Sequence, residues 1–279
     1  MLTSRNYAPS PDLLPFVRRY YVFEAQLPED HVLQDILLSE TAFVRFLIKG
    51  DWEAEIDKGV WAGAGRAVLF GSNSYPLTVR VNGPFRLAGF AVRPSAWRAL
   101  FKQPATESVD QMLPLQLSWG GVADTLLDQI SAATSDEEIV AAMEATIRSQ
   151  LALVGRHKVD EKVALFETIA RSDSTVKMEH AAEQIGLSVR QMERRCLTAY
   201  GLSPKTVLRR SRFLDMAEAM RGFSSPGDEI LATLRYFDQS HLNREFWRFA
   251  GMTPGKFAKA TTPLFTAGLK LRVEGKGII

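Results

Sequence analysis

The chain has 279 residues, of which 46% are hydrophobic and 24% are charged, and its formal net charge is +2. This length favours two domains, each with its own core, and the composition excludes collagen-like, disordered and membrane-embedded proteins. No apolar run is long enough to span a membrane or to act as a secretion signal, and the single cysteine, Cys196, excludes an intramolecular disulfide. We therefore expect a cytoplasmic protein.

Charge is distributed unevenly along the chain. Residues 1–154 carry a net charge of −5, residues 155–262 carry +5, and residues 263–279 carry +2. We accordingly predict a first domain over 1–154, a second over 155–262 and a tail over 263–279. The basic second domain suits a polyanion, but a solvated basic face would give the same imbalance, so charge alone identifies no partner.

Short apolar or alternating runs, separated by turn residues, fill the chain from Leu14 to Val92. This spacing predicts a mostly β domain, either a small barrel or a sandwich. Turns are predicted at 49–51, 71–74 and 82–84. The last of these, Asn82-Gly83-Pro84, lies between two strand-like runs and therefore predicts a β-hairpin.

Beyond Pro94 the apolar spacing lengthens toward that of helices. Helices are predicted over 95–101, 123–133 and 135–154. Ser135 is followed by three acidic residues, which is typical of a capped helix N-terminus because the helix dipole favours negative charge there. These helices are candidates for bridging the two domains or for forming a homodimer face.

The C-terminal segment repeats itself at an interval of 50 residues. The shift superimposes three identical pairs, namely Arg194 with Arg244, Gly201 with Gly251, and Pro204 with Pro254. The first copy predicts a helix over 178–185, a tight turn at Gly186 and a second helix over 189–200, which is a helix-turn-helix unit. The second copy predicts the same arrangement, with helices over 229–235 and 239–250.

The second helix of each unit has a polar face opposite its apolar stripe. Arginine, glutamine and glutamate on such a face are the residue types that read base edges in a major groove, although a solvated face is the alternative. A continuous helix over 203–221 is predicted to hold the two reading helices about 34 Å apart, within reach of successive major grooves. Three arginines on it are candidate contacts to the DNA backbone: Arg209, Arg210 and Arg212.

Two segments of the chain carry a family resemblance. Residues 236–246 with Gly251-Met252-Thr253-Pro254, and residues 185–188 with Gly201-Leu202-Ser203-Pro204, resemble the signature of the AraC/XylS family of bacterial transcription regulators. The resemblance covers residues 160–260, and the first domain is loosely similar to the cupin-like sensor domains of such regulators. The implied fold is α+β, with a cupin-like β domain and helices followed by an all-α tandem helix-turn-helix domain.

The resemblance also implies partners and site residues. Double-stranded promoter DNA is the expected partner, RNA polymerase is a further candidate, and no cofactor is expected. The implied base-reading residues are Arg190, Glu193 and Arg194 in the first unit, and Gln239, Ser240, His241, Asn243 and Arg244 in the second. Arg235 departs from the pattern, because the family usually has glycine there. If that position needs a positive φ, arginine there costs about 1 kcal/mol. The second unit then either reads bases or mainly binds the DNA backbone.

Four aromatic residues of the β region are candidates for lining an apolar effector pocket: Trp52, Trp61, Phe70 and Tyr75. An ordinary aromatic core is the alternative interpretation. If a pocket forms, we expect a small apolar or amphipathic effector.

Three other classes of protein fit parts of the sequence. A metal-dependent cupin enzyme is disfavoured because only His31 lies in the β region, although acidic and amide side chains could still hold a hard cation. A DNA-repair alkyl acceptor would need Cys196 as its nucleophile, but that residue falls on the apolar stripe of a reading helix. We therefore expect no enzyme and no metal. A protein-interaction scaffold would keep the repeat but bind with little dependence on salt.

Overall fold

The computed structural model describes residues 2–63, 65–154, 158–223 and 239–274. Its strands are β1 (Leu2–Tyr7), β2 (Val17–Ala25), β3 (Val32–Leu37), β4 (Phe43–Asp57), β5 (Val60–Gly63), β6 (Ala67–Phe70), β7 (Leu77–Val92) and β8 (Met112–Pro114). Its helices are α1 (Trp97–Leu100), α2 (Gln116–Trp119), α3 (Val122–Ala132), α4 (Asp136–Val154), α5 (Glu161–Ser172), α6 (Met178–Gln184), α7 (Val189–Tyr200), α8 (Pro204–Met220), α9 (Gln239–Ala250), α10 (Pro254–Lys259) and α11 (Pro263–Glu274). Single turns of 3₁₀ helix lie at Pro94–Ala96 and Ala105–Glu107. The predicted α+β class, with strands first and helices after, is confirmed.

The strands form one antiparallel sheet in the order β1-β2-β7-β4-β6-β8, with β3 also paired to β7 and β5 to β4. Alternating residues of β2 supply both faces of this sheet. Tyr20 and Val22 face the cluster that is covered by α1 to α4, while Tyr21 and Phe23 face a second cluster that is covered by α11. The sheet therefore has a buried core on each side.

The predicted hairpin at Asn82-Gly83-Pro84 is wrong, because β7 continues through it. The first part of β7 pairs with β3, where Leu37 is opposite Leu77, and the second part pairs with β2, where Ala25 is opposite Phe85. Gly83 has a φ of +61° and marks the point at which the strand changes partner. The turn residues thus produce a bend within a long strand.

The turn predicted at 49–51 is also a bend within a strand, and this prediction is corrected in the same way. Strand β4 continues past Gly50, which has a φ of +90°, and its register with β7 shifts on both sides of Lys49. A Cβ atom at Gly50 would lie only 2.8 Å from the carbonyl oxygen of Pro84. A close approach of two strands therefore explains the glycine.

Helices α3 and α4 match the predicted ranges within a residue and cover one face of the sheet. The Ser135 hydroxyl accepts a hydrogen bond of 3.2 Å from the backbone N–H of Glu138, as a helix cap does. The Glu138 carboxylate accepts in return from the backbone N–H and the hydroxyl group of Thr134. Ile139, Met143 and other apolar residues of α4 are buried in the core of the β domain. Helix α4 therefore packs as part of the β domain.

The predicted tail at 263–279 requires correction, because residues 263–274 form the interior helix α11. Leu264 and Leu271 pack into the cluster on the second face of the sheet. Phe265 and Leu269 of the same helix pack into the cluster formed by α8, α9 and α10. A helix with apolar residues on both sides is buried on both sides, so α11 joins the β domain to the C-terminal helices.

Buried charges cross the same boundary. Glu40 lies 2.9 Å from Arg171 and 3.3 Å from Arg272, and it also faces Arg18. Arg272 is 3% exposed and pairs in addition with Asp215 and Glu218 of α8. Because a buried charge is stable only with partners, this network fixes the sheet, α8 and α11 relative to one another.

Candidate nucleic-acid interface

The first helix-turn-helix unit consists of α6 and α7. Gly186 forms the turn with a φ of +67°, a conformation that glycine adopts at little cost. Ser188 caps α7 by accepting from the backbone N–H of Gln191, whose side chain accepts in return from the Ser188 N–H at 2.9 Å. A full capping box therefore fixes the start of α7 at the residue where the sequence predicts it.

One side of α7 is buried and the opposite side is exposed. The buried side consists of Met192, Cys196, Ala199 and Tyr200. The predicted readers Arg190, Glu193 and Arg194 are all exposed, and their side chains make no ion pair within the described ranges. Three polar side chains on one turn and a half of a capped helix are thus available to a ligand.

The second helix of the second unit, α9, has a similar distribution. Gln239, Ser240 and Arg244 are exposed, whereas His241 and Asn243 are half-buried. The Gln239 amide donates to the Asn243 side chain at 3.3 Å, and His241 Nε2 lies 3.8 Å from the Glu245 carboxylate. The predicted first helix of this unit and its turn, residues 229–238 with Arg235, lie outside the described residues.

Two exposed apolar residues on α7 and α9 were missing from the predicted site. Leu197 of α7 is 43% exposed, and Trp247 of α9 is 59% exposed. The 50-residue repeat superimposes these two positions, each three residues beyond the paired arginines Arg194 and Arg244. The repeat itself was therefore the signal that could have identified them.

The predicted contact of Arg210 with the DNA backbone requires correction. Arg210 is 0% exposed, and its guanidinium donates to the carbonyl oxygens of Asn73, at 2.7 Å, and of Glu40. A side chain held in this way inside the protein cannot reach a phosphate group. Arg210 instead ties α8 to two loops of the β domain.

The other two arginines of α8 are also engaged within the protein. Arg209 forms a forked ion pair with the buried carboxylate of Glu245 on α9, with N–O distances of 2.5 to 3.2 Å. Arg212 donates to the carbonyl oxygen of Ser174 at 3.1 Å. Both side chains hold the helices of the domain together in this arrangement, and both are half-buried, so their contact with the DNA backbone stays a prediction.

A cavity of about 110 Å³ lies between the sheet, α8 and α11. Of the four predicted pocket residues, Trp52 lines it, and Phe70 lies beside Trp52 at a ring distance of 6.4 Å. Trp61 instead packs under Arg80 on the outside, and Tyr75 is 56% exposed beneath Arg248. The prediction that these two line the pocket is corrected, since aromatic character alone does not tell which side of a strand or loop a residue faces.

The wall of this cavity has an excess of positive charge. Arg45 is enclosed by the rings of Phe43, Trp52 and Phe70 at 4.5 to 5.0 Å, and its Nε and Nη1 atoms are buried without a hydrogen-bond partner. Burial lowers the pKa of Arg45, and it lowers the pKa of Arg19 to about 10. The cavity is therefore short of negative charge.

Glu40 supplies part of the missing negative charge. Burial alone would raise the pKa of its carboxyl group, but Arg272 and Arg18 outweigh burial and hold the pKa at about 2. Glu40 is accordingly ionised at every pH at which the protein is expected to be folded.

Neither the metal-dependent enzyme nor the cysteine-based alkyl acceptor has a recognisable active centre in the described part of the chain. No group of three His, Cys, Asp or Glu side chains there is arranged to hold a metal ion. Cys196 is buried, and burial raises the pKa of its thiol. A high thiol pKa disfavours the thiolate, which is the nucleophilic form.

Comparison with known protein families yields two matches. Residues 181–260 match a family described as a helix-turn-helix domain, and residues 5–114 match a domain of unknown function. No curated protein of related sequence was found. Within the described residues, no helix is both long enough and apolar enough to cross a membrane.

Several solved structures are similar to the chain. ToxT from Vibrio cholerae O395 is 11% identical over 88% of this chain and 99% of its own, with a TM-score of 0.48. Wild-type ToxT from Vibrio cholerae strain SCE256, solved with bound unsaturated fatty acid, is 11% identical over 88% and 96%, with a TM-score of 0.49. The AraC-like transcriptional activator CuxR is 15% identical over 83% and 91%, with a TM-score of 0.27.

The C-terminal region thus contains a helix-turn-helix domain over residues 181–260, which is a DNA-binding fold. The signature residues in both halves of the repeat, which lie within this domain, resemble those of the AraC/XylS family.

Proposed function

We propose that α7 and α9 read base edges in the major groove of promoter DNA. This proposal rests on the exposure of Arg194 on α7 and Arg244 on α9, which occupy equivalent positions of the 50-residue repeat. An exposed arginine can bind guanine through two parallel hydrogen bonds. The other proposed readers are Arg190 and Glu193 on α7, and Gln239, Ser240, His241 and Asn243 on α9.

Leu197 and Trp247 extend the proposed reading surface. Each follows its arginine by three residues, which places both on the same face of their helices. Large apolar side chains are normally buried, and here two are exposed at equivalent sites. We propose that they contact thymine methyl groups or sugars within the groove.

Binding-site selection from a random duplex pool tests this function. The experiment uses the full chain, because α11 and the buried network tie the DNA-binding helices to the β domain. Recovery of two blocks about one helical turn apart supports reading by both helices. A single block would restrict reading to one unit, and no enrichment would favour the scaffold interpretation.

We further propose that residues 1–154 act as the sensor and that residues 155–262 bind DNA, with α11 packed between them. The exposed surfaces of α3 and α4 are the proposed homodimer face, and RNA polymerase is the proposed partner at the promoter. A promoter-binding regulator of a bacterial family acts in the cytoplasm. Sedimentation of the free and DNA-bound chain tests the dimer.

The cavity is the proposed effector site, and its chemistry favours a small apolar acid. Its volume accommodates roughly eight water-sized groups. Arg45 has two donor atoms without a hydrogen-bond partner, Nε and Nη1, and each can donate a hydrogen bond to a carboxylate oxygen. Because the walls come from the sheet and from α8 and α11, occupancy would alter how the DNA-binding helices are held.

A thermal-shift comparison tests the effector proposal. Benzoate and hexanoate are compared with benzamide and hexanamide, which have the same shape but no charge. We expect only the acids to raise Tm, and we expect Arg45→Met to abolish the shift. Arg80→Met serves as the matched control, because Arg80 also stacks on a tryptophan but lies outside the cavity. Equal shifts from acids and amides would argue against the charge-based site.

A further inference from the structure

A wide cleft separates the reading face of α7 from the β domain. Its volume is about 950 Å³. One wall is α7, with Arg190, Glu193, Arg194 and Leu197. The opposite wall is the segment over 97–106, which contains α1 and the loop after it, and the end of α4 closes one side. The face that is proposed to read DNA is therefore next to residues of the other domain.

This cleft is strongly basic. Arg98 and Lys102 are exposed on the β-domain wall, opposite Arg190 and Arg194 of α7. Glu193 is the single acidic residue among those that line it. The neutral polar residues of the lining, which include Gln103, Thr106 and Thr198, are also types that bond to phosphate. The cleft therefore favours a polyanion over an acidic or apolar peptide.

The two walls are held in a fixed relationship. Gly201, at the end of α7, lies close to the 3₁₀ turn at Ala105–Glu107. A Cβ atom at Gly201 would lie 2.5 Å from the carbonyl oxygen of Ala105. The Asp160 N–H donates to the Ser95 carbonyl oxygen at 2.9 Å, and the Asp160 carboxylate pairs with Arg195 of α7 at 2.5 Å. Arg98 and Lys102 are thus presented at a defined position beside the reading face.

A helix that enters a major groove has a phosphate backbone on each side. The groove is about 12 Å wide, so the strands lie close to the flanks of the helix. The cleft opens along the side of α7 that carries Arg190 and Arg194, and its far wall carries Arg98 and Lys102, which form no ion pair with an acidic side chain of the described residues. The phosphate backbone is the polyanion that α7 would bring to this position.

We propose that Arg98 and Lys102 of the β domain contact the DNA backbone on the strand that borders the groove occupied by α7. This proposal rests on the proposed function, namely that α7 reads DNA. It assigns part of the DNA affinity to the domain that otherwise acts as the sensor. The duplex then spans both domains, and the contact adds affinity without base specificity.

The double variant Arg98→Ala/Lys102→Ala, made in the full chain, tests the proposal on a selected site and on random duplex. Each lost phosphate contact reduces the slope of log K against log salt by about 0.9. We expect a slope lower by roughly 1.8 and binding weaker by roughly 10- to 30-fold near 0.15 M salt, equally on both duplexes. The control is Lys49→Ala/Lys58→Ala, which removes the same charge from exposed positions outside the cleft.

The Arg194→Ala variant separates this proposal from the proposed function. If Arg194→Ala loses specificity while the cleft variant binds with the wild-type slope, the backbone contact is overturned and base reading by α7 stands. Tighter binding by the cleft variant would also overturn the contact, because the β-domain wall would then obstruct DNA. Equal losses in the cleft variant and the control would reduce the effect to net charge. Matching melting curves establish that all variants are folded.

Discussion

The Asp35 carboxylate of β3 accepts a hydrogen bond of 2.7 Å from the backbone N–H of Leu264, at the start of α11, and a second one of 3.2 Å from Phe265. A residue of the sheet thus caps the helix that follows the DNA-binding domain. The first N–H groups of a helix lack partners within the helix, so this cap both satisfies them and fixes the position of α11. Asp35 is 6% exposed, and its ionisation is therefore coupled to the packing of α11.

The stability of the protein should depend on the ionisation of Asp35. Burial raises the pKa of Asp35 to about 6, which outweighs the three backbone hydrogen bonds that favour its carboxylate form. Because the folded-state pKa exceeds the unfolded value of about 3.9, the folded state binds the proton more tightly. The corresponding stability is present in full below about pH 4 and is lost as the pH rises through about 6.

Urea unfolding of the wild type and of Asp35→Asn at several pH values measures this effect. The variant has no titrating group at position 35, so its unfolding free energy serves as the reference. We expect wild-type stability relative to Asp35→Asn to fall by up to about 3 kcal/mol between pH 4 and pH 7.5. A constant difference across that range would mean that Asp35 has an ordinary pKa.

Two glycines at matching positions of the repeat predict different costs of substitution. Gly201 and Gly251 end α7 and α9 with φ values of +71° and +66°, so alanine strains both by about 1 to 2 kcal/mol. Only at Gly201 would the new Cβ atom collide, at 2.3 Å from a Val109 methyl group, whereas at Gly251 the nearest atom is 3.9 Å away in Pro76. We expect Gly201→Ala to lower the unfolding free energy by at least about 1 kcal/mol more than Gly251→Ala does. Equal losses would mean that α7 does not pack closely on the β domain.

Arg272 should be one of the most costly residues to remove. Its substitution by methionine leaves Glu40, Asp215 and Glu218 buried without their shared cation, and breaking a buried ion pair in this way costs about 3 to 5 kcal/mol. Lys270→Met on the same helix is the control, because its pair with Glu274 is exposed and contributes less than about 1 kcal/mol. Denaturant unfolding at pH 7 measures both.

The sequence predicts α7 to the residue because every determinant is local. Gly186 supplies the turn, Ser188 and Gln191 form the cap, and the apolar spacing marks the buried side. Local rules of this kind do not depend on the rest of the fold. The exposed face of the reading helix follows from them directly.

The features that the sequence missed depend on distant partners. Arg210 looks like any other arginine on a helix, but the carbonyl groups that bury it belong to Glu40 and Asn73, more than a hundred residues away. The Gly83 turn signal became a bend because β3 and β2 share β7 as a neighbour. Helix α11 could have been recognised, because its apolar residues lie on all sides, as in a fully buried helix.

Cys196 provides a direct test of whether the helix-turn-helix unit carries thiol chemistry. The residue is 1% exposed between Met192 and Tyr200 in the core of the unit, and burial raises the pKa of its thiol. Because only the thiolate reacts, we expect the folded chain to resist an aromatic disulfide reagent and the urea-unfolded chain to react at once. Cys196→Ala should cost about 1 kcal/mol of stability through a small cavity and leave DNA affinity within about twofold. Rapid labelling of the native chain, or loss of a DNA-dependent activity in a folded Cys196→Ala protein, would instead identify a reactive centre.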